Sequence, residues 1–589
     1  MRLVKPSSQS PRIGVDGRLT AHEDQALTLE SLSVDALPLV NHFLTRLGFD
    51  RLLEAHVPAV DRRYRLRPAR TLGVLLRNLM LARVPLYSQQ DWARRMVPRQ
   101  LGLSADEVLV LNDDRVGRAL DALFLADRAT LLTQVVVSAV RAFDVNLAQL
   151  HNDSTTVTFS GNYSLASGRC LHGKQALSIC HGHNKDHRPD LKQLLFVLTV
   201  SSDGAVPVHF QALDGNTADV DTHMATWEVL RSLTGRPDFL YVADCKLCSA
   251  QALRAIASRN GRFLTILPRN RREHTFFCRW LQQHPPAWEH IAHRSDPRHR
   301  HGPPDLCRAV ESPIPSAEGF RIVWIHSSLK VQRDQQAREE KIAAAAQALE
   351  EFRTHLRSPR SRYTNRTKVE AAASKILSDI GALRWIDVRL SEHSEPVYRQ
   401  EKRGRPGPKA RYVRRHRVRL DISWQANLTN VEYDARCDGI FPFITNCRDL
   451  TPAQLLQAYK YQPNLEKRHE QFKTVYEVTP VWLKNEGRVE ALLFLYYVVL
   501  LAEALIEREI RQSMKARGVG SLPLYPEERD CRAPSTQAIF QVFAGLQHHR
   551  LTRQGTTVRS FPPVLNPLQL KVLDLLNAPI SLYSSENPH

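Results

Sequence analysis

Three acidic residues stand in segments where a carboxylate has a chemical use. Asp153 lies in a segment rich in β-branched residues that predicts a strand, and Asp244 directly ends a second short apolar segment. Glu466 lies much further along the chain, in a segment with helical spacing. Taken singly, each acid would be interpreted as an ion-paired or capping residue. An acid in a strand suited to burial is costly unless it is paired or bound to metal, so the three together indicate a metal site.

Carboxylates are the ligands that Mg²⁺ prefers in proteins, with water and substrate phosphate completing the coordination. Two Mg²⁺ ions about 3.5–4 Å apart can activate a hydroxyl nucleophile and stabilise the leaving oxygen in phosphodiester transfer. The sequence therefore predicts that Asp153, Asp244 and Glu466 are the catalytic residues and the ligands of two Mg²⁺ ions, with Mn²⁺ as an alternative.

The charge of the chain points to a polyanionic partner. Lys and Arg number 81 against 61 for Asp and Glu, which gives a net charge of +20 over 589 residues. Such a field attracts nucleic acid, although a generally basic protein would have the same composition. Two Pro and two Gly interrupt the basic run 399–419, so we expect a flexible loop that follows DNA phosphates, in preference to a merely solvated loop. The predicted DNA contacts in this run are Lys402, Arg403, Arg405, Arg414 and Arg415.

The remaining composition excludes several classes of protein. Nine scattered cysteines argue against a disulfide framework, and the single pair Cys245 and Cys248 is weak support for zinc. The start of the chain has no apolar segment typical of a signal peptide, and the longest apolar run, 491–502, is too short to span a membrane. We therefore expect a cytoplasmic protein, with a buried helix over that run.

The order of predicted elements indicates an α/β fold. Strands are predicted at 147–159, 194–200, 206–213, 239–243 and 262–267, with helices at 221–232 and 249–258. This order of three strands, helix, strand, helix and strand is typical of the ribonuclease-H-like fold, although periodicity alone does not fix a topology.

The predicted domains are a flexible arm at 1–30, a helical and DNA-binding domain at 31–145, the first part of the core at 146–270, an insertion domain at 271–450, the second part of the core at 451–515 and a tail at 516–589. Two helices near 71–96 could form a helix-turn-helix or part of a plain bundle. Residues 330–356 predict a helix, either a coiled-coil arm or a solvated helix packed on one side.

One segment resembles a transposase signature. Tyr459, Glu466 and Lys473 match three positions of Y-x2-R-x3-E-x6-K, the signature of DDE transposases of bacterial insertion sequences. Gln462 occupies the Arg position, which keeps a hydrogen-bond donor but removes a charge. Two further stretches, 182–193 and 212–219, also resemble segments of these transposases.

The resemblance implies a ribonuclease-H-like catalytic core split by an insertion, with an N-terminal helical domain. It implies metal-dependent DNA cleavage and strand transfer at terminal inverted repeats and target DNA, by a homodimer or larger assembly and without a membrane. Asp153, Asp244 and Glu466 would bind metal, and Tyr459, Gln462 and Lys473 would contact DNA. If the register were different, Glu470 would replace Glu466. The alternatives are a catalytically retired DNA-binding relative and another ribonuclease-H-like nuclease.

Overall fold

The structure is a computed structural model. It describes residues 27–58, 65–161, 163–164, 166–295, 302–358, 361, 363, 365–475, 483, 485–553 and 556–584. The chain forms two compact units: one contains residues 1–127 and 505–589, and the other contains residues 128–504.

The first stretch of the chain is a strand followed by short helices. Its elements are β1 (Leu27–Ser33), α1 (Leu37–Leu47), α2 (Phe49–His56), α3 (Pro68–Leu81), α4 (Gln89–Arg95), α5 (Ala105–Leu109) and α6 (Asp113–Leu125). Helices make up most of the described residues of this stretch. The prediction of a flexible arm is wrong for residues 27–30, which belong to β1, and residues 1–26 lie outside the described part of the chain.

The second unit begins with a helix and the five predicted strands. Its first elements are α7 (Arg128–Phe143), β2 (Gln149–Phe159), β3 (Cys170–Leu171), β4 (Lys174–Gln175), β5 (Lys192–Ser201), β6 (Pro207–Asp214), α8 (Asp219–Thr234), β7 (Leu240–Ala243), α9 (Ala250–Ser258) and β8 (Arg262–Ile266). β2 and β5 are almost completely buried; β5 was recognisable in the sequence by its apolar run, and β2 by its β-branched Thr and Val residues.

The strands form one sheet of nine, in the order β6-β5-β2-β7-β8 and onward into the insertion. β2 pairs antiparallel with β5, β5 pairs antiparallel with β6, and the pairs β2–β7 and β7–β8 are parallel. The first strand in sequence therefore lies in the middle of these five, between the second and the fourth.

The predicted insertion adds four strands to the same sheet. Its elements are α10 (Arg272–Gln283), β9 (Glu289–Arg294), β10 (Asp305–Glu311), β11 (Arg321–Ser327), α11 (Ser328–Arg357), α12 (Arg366–Ile380), β12 (Ile386–Gln400), β13 (Tyr412–Ala426), α13 (Leu428–Ala435) and β14 (Ile440–Thr445). β14 pairs antiparallel with β8, and β11, β10 and β9 follow it outward. The insertion is thus continuous with the sheet.

The basic run differs from its prediction. A flexible loop over 399–419 is wrong for residues 399–400, which end β12, and for residues 412–419, which form half of β13, because the two segments pair with each other. The predicted helix at 330–356 is confirmed as α11, which packs on one side against α12 and the base of this ribbon.

The signature segment is broken into two helices. α14 (Pro452–Tyr459) ends at the signature tyrosine, α15 (Gln462–Glu470) begins at Gln462, and a π-helical turn covers Gln471–Val475. The helical spacing around Glu466 therefore belongs to two short helices and not to one continuous helix from Pro452. Pro463 stands in the first turn of α15, where its missing N–H costs little, but it could not continue the preceding helix.

α16 (Glu486–Ala516) follows as a 31-residue helix. Within the described ranges it is the one single helix long and apolar enough to cross a membrane, yet every residue of its most apolar stretch is buried in protein. We interpret it as a core helix, as the sequence predicted.

The last stretch is more regular than its sequence suggested. It contains β15 (Leu522–Tyr525), β16 (Arg529–Cys531), α17 (Thr536–Val542), β17 (Gln547–Arg553), β18 (Thr556–Phe561), α18 (Pro567–Leu575) and α19 (Ser581–Ser584). β17 pairs with both β1 and β18, so a strand from the start of the chain completes a sheet with two strands from its end.

Candidate active site

Two of the predicted acids lie on neighbouring central strands of the sheet, at the carboxyl end of β7. β2 and β7 are parallel neighbours, and their last paired residues are Asn152 and Ala243. Asp153 and Asp244 come directly after this pair. Neighbouring strands lie about 4.8 Å apart, and residues in register on parallel strands point to the same face. The strand pairing therefore brings these two carboxylates together.

Asp153 has basic neighbours. The Nζ atom of Lys185 lies 3.7 Å from its Oδ1 atom, and the Nε2 atom of His469 lies 4.0 Å from its Oδ2 atom. Lys185 is itself fixed, because its Nζ donates hydrogen bonds of 2.7 Å to the carbonyl and to the hydroxyl oxygen of Ser154. The side chain of Asp153 remains 24% exposed, so solvent reaches it.

Asp244 is held by the turn that follows β7. Its Oδ1 atom accepts a 3.0 Å hydrogen bond from the backbone N–H of Lys246, and Thr265 donates a 2.5 Å hydrogen bond to its backbone carbonyl. The Nε2 atom of His223 lies 4.0 Å from Oδ1, and the Nδ1 atom of the same ring lies 3.2 Å from the hydroxyl of Tyr241. The carboxylate is 39% exposed.

Glu466 is exposed on α15, which is attached to β2 at two points. Gln462, one turn before Glu466, is buried: its Oε1 atom lies 2.9 Å from Nδ1 of His151, and its Nε2 atom donates to the carbonyl of Asn152 over 3.4 Å. His469, in the next turn, reaches Asp153. Because Gln462 and Glu466 are four residues apart, they share a side of the helix.

The hydroxyl of Tyr459 lies within electrostatic reach of all three acids. Burial raises the pKa of its hydroxyl well above the usual value, and the negative charges of Asp244, Cys245, Asp153 and Glu466 raise the pKa further. All three carboxylates therefore act electrostatically on one hydroxyl group.

Burial also keeps two histidines of the site neutral. Burial lowers the pKa of His151 to about 4, against a smaller opposite effect of its hydrogen bond to Gln462. Burial, together with the charges of Lys185 and Lys473, lowers the pKa of His469 to about 3. Positive charge next to Asp153 therefore comes from Lys185 and not from His469.

The donor set suits a hard cation, although the carboxylates are not preassembled around one. Asp153, Asp244 and Glu466 offer oxygen ligands that solvent can reach, as Mg²⁺ requires. Among the residues that the structure describes, no three His, Cys, Asp or Glu side chains lie close enough together to hold a metal ion, and this includes Cys245 and Cys248.

The predicted DNA contacts fall into two groups. Tyr459 and Lys473 lie near the acids, and Nζ of Lys473 forms ion pairs of 2.6 and 2.8 Å with Asp186. The amide of Gln462 contacts protein groups, as described above. The five basic residues predicted to contact DNA are instead exposed on the ribbon β12–β13 and the turn that joins its strands: Lys402, Arg403, Arg405, Arg414 and Arg415.

Four residues near the acids were missed from the sequence: Lys185, Asp186, His223 and His469. Three of them lie inside stretches that resemble the transposase family, so the stretches were recognised but the individual side chains were not. His223, on α8, has no such signal. Its contact with Asp244 depends on how the helix packs over the sheet.

Comparison with known proteins gives limited information. Residues 29–137 match the model of a family described as a domain of unknown function, DUF4277. No curated protein matches the chain. The chain is similar to the cryo-EM structure of a piggyBac transposase synaptic complex with hairpin DNA, with 10% identity and a TM-score of 0.37 over 86% of this chain and 78% of that one. A TM-score of this size does not establish a shared fold.

Proposed function

We propose that the chain is a DDE transposase that cleaves DNA and transfers strands at the ends of an insertion sequence. The observation that carries the proposal is the meeting of Asp153 and Asp244 on neighbouring parallel strands, with Glu466 on a helix attached to the same strand. The strand order β6-β5-β2-β7-β8 supports a ribonuclease-H-like core, and the signature at Tyr459, Glu466 and Lys473 supports the transposase assignment.

Asp153, Asp244 and Glu466 would hold two Mg²⁺ ions, or Mn²⁺, in this reaction. When bound, such ions activate the attacking hydroxyl and stabilise the leaving oxygen of a phosphodiester. The partner we propose is double-stranded DNA, both the terminal repeats and the target, bound by a homodimer or larger assembly in the bacterial cytoplasm.

The chain's own residues would position the phosphate. Because its pKa is raised, the Tyr459 hydroxyl stays protonated and can donate a hydrogen bond to a phosphate oxygen. Lys473 could exchange its carboxylate partner Asp186 for a DNA phosphate, which offers the same charge and hydrogen-bond acceptors. Lys185 offsets the charge of Asp153 before cations and DNA arrive.

A cleavage assay with one altered acid tests the proposal. The substrate is a plasmid that carries the reading frame with its natural flanking DNA, incubated with the full chain and Mg²⁺. Asp153→Asn keeps the size of the side chain but removes the charge that binds cations, so we expect cleavage to fall about 10³-fold while DNA binding stays the same.

Asp190→Asn is the matched control, because Asp190 pairs with Arg188 on an exposed stretch and should not affect cleavage. Cleavage by the Asp153→Asn variant at the rate of the wild type would disprove the assignment. DNA binding by the wild type without any cleavage would indicate the retired form.

A further inference from the structure

The ribbon β12–β13 extends well beyond the elements that support it. Its strands have 15 residues each and pair from Ile386 with Ala426 to Gln400 with Tyr412. At about 3.3 Å per residue, such a ribbon is about 50 Å long. Only its base is packed, where Leu420 and Ile422 are buried against α11 and α12. The outer half has no such support from these helices.

The outer half is strongly basic and exposed on both faces. Between Arg399 and Arg419 the sequence has ten Lys and Arg residues and one acid, Glu401. Like charges on neighbouring positions of a ribbon repel one another, and a two-stranded ribbon without a packed face is only marginally stable. A polyanion along the ribbon would offset both costs, so charge complementarity identifies the class of its partner.

The pairing register separates the side chains of the outer half into two faces. Tyr398 lies opposite Arg414, and Gln400 lies opposite Tyr412, so both tyrosines and Arg414 share one face. The tyrosine side chains are diagonal neighbours on that face, and Tyr398 and Tyr412 are 64% and 54% exposed. Arg415 belongs to the opposite face.

The dimensions of the ribbon suit one feature of duplex DNA. Two strands lie about 4.8 Å apart, and the major groove of B-DNA, about 12 Å wide, admits a two-stranded ribbon. We propose that the outer half of β12–β13 enters the major groove, with Tyr398, Tyr412 and Arg414 toward the base edges and the basic turn toward the phosphates. This inference rests on the proposed function only in taking DNA as the polyanion.

The chemistry of the face fits base edges better than phosphates alone. Arg can donate two hydrogen bonds to O6 and N7 of guanine, and aromatic rings contact bases and thymine methyl groups. A surface that only followed phosphates would have no use for two exposed tyrosines beside Arg414. The opposite face, with Arg415, is left for phosphate contacts.

Binding of the full chain to a 30-base-pair duplex of mixed sequence, without divalent metal, tests the inference. We expect Tyr398→Ala with Tyr412→Ala to weaken binding about tenfold without changing its salt dependence, because no charge is lost. Arg415→Ala is the matched variant on the other face. It should reduce the slope of log affinity against log salt by about one.

A chemical footprint of the wild type and of the double tyrosine variant supplies the second measurement. Dimethyl sulfate methylates N7 of guanine in the major groove and N3 of adenine in the minor groove, and we expect the wild type to protect N7 at positions that the variant leaves reactive. Unchanged duplex affinity in the double tyrosine variant would overturn the inference. So would protection of N3 in place of N7, or a greater loss of affinity for a single strand than for the duplex.

The two proposals can fail separately. The binding and footprint measurements contain no metal and involve no cleavage, so an inactive enzyme would leave the ribbon inference standing. A cleaving enzyme whose ribbon leaves guanine N7 unprotected would disprove only the ribbon inference.

Discussion

The region around Asp153 and Asp244 and the outer half of β12–β13 differ both in the sign of their charged groups and in how firmly these groups are held. Asp153 and Asp244 lie on neighbouring strands, and nearby side chains such as Gln462 and Lys185 are fixed by hydrogen bonds. On the ribbon, basic side chains are spread over exposed strands. Groups that must meet a reacting atom need fixed positions, whereas groups that attract a polymer need mainly charge and reach.

The largest expected effect separates two glutamates on α15. Glu466→Gln should reduce DNA cleavage about 10³-fold, because the third carboxylate ligand would be lost. Glu470→Gln, also exposed and one turn later, should leave the cleavage rate within about twofold of the wild type. The measurement is cleavage of the same plasmid under identical Mg²⁺ conditions. If the two variants exchanged these phenotypes, the register of the signature would be wrong.

A smaller effect concerns the stability of the sheet, which should depend on pH through the buried His209. Burial in β6 lowers the pKa of His209 to about 4. Between pH 6.5 and 4 the unfolded chain binds a proton that the folded chain does not, so the free energy of unfolding falls as the pH falls. His209 should contribute about 1.4 kcal/mol per pH unit to this slope.

Urea unfolding at several pH values measures that contribution. His209→Leu should reduce the slope in this window by the stated amount. An identical slope in the wild type and in the His209→Leu variant would contradict the assigned burial effect.

The smallest effect concerns the turn at the end of the ribbon. Lys402→Ala with Arg403→Ala removes two charges from exposed positions, so the salt slope of DNA binding should fall by about two. Stability should change by less than about 0.5 kcal/mol, because neither side chain is buried. Anisotropy titrations from 50 to about 200 mM salt measure the slope. An unaltered slope would show that this turn does not touch DNA.

Local patterns predicted the sheet strands well, because β5, β7 and β8 contain apolar runs and β2 is rich in β-branched residues. The same patterns placed Asp153 and Asp244 at strand positions but could not show that β2 and β7 are neighbours. That pairing depends on residues about 90 positions apart in sequence, which no local signal reports.

The ribbon was hidden for a different reason. Pro and Gly in the run 399–419 indicated a loop, and they do form the turn, but the flanking Arg-rich segments are strands because each supplies the other's hydrogen bonds. Gln462 illustrates a third limit. Its departure from the signature suggested a weaker phosphate contact. In the structure its amide instead forms hydrogen bonds with the ring of His151 and the carbonyl of Asn152.

The pairing of β1 with β17 has a consequence for synthesis of the protein. Leu27 pairs with Arg553, so β1 cannot pair with β17 until more than 500 further residues have been made. At about 5–20 residues per second, translation leaves β1 without this partner for about half a minute or longer. Prematurely terminated chains that lack β17 would keep the backbone N–H and C=O groups of β1 unpaired with it. We expect aggregation or proteolysis to remove them.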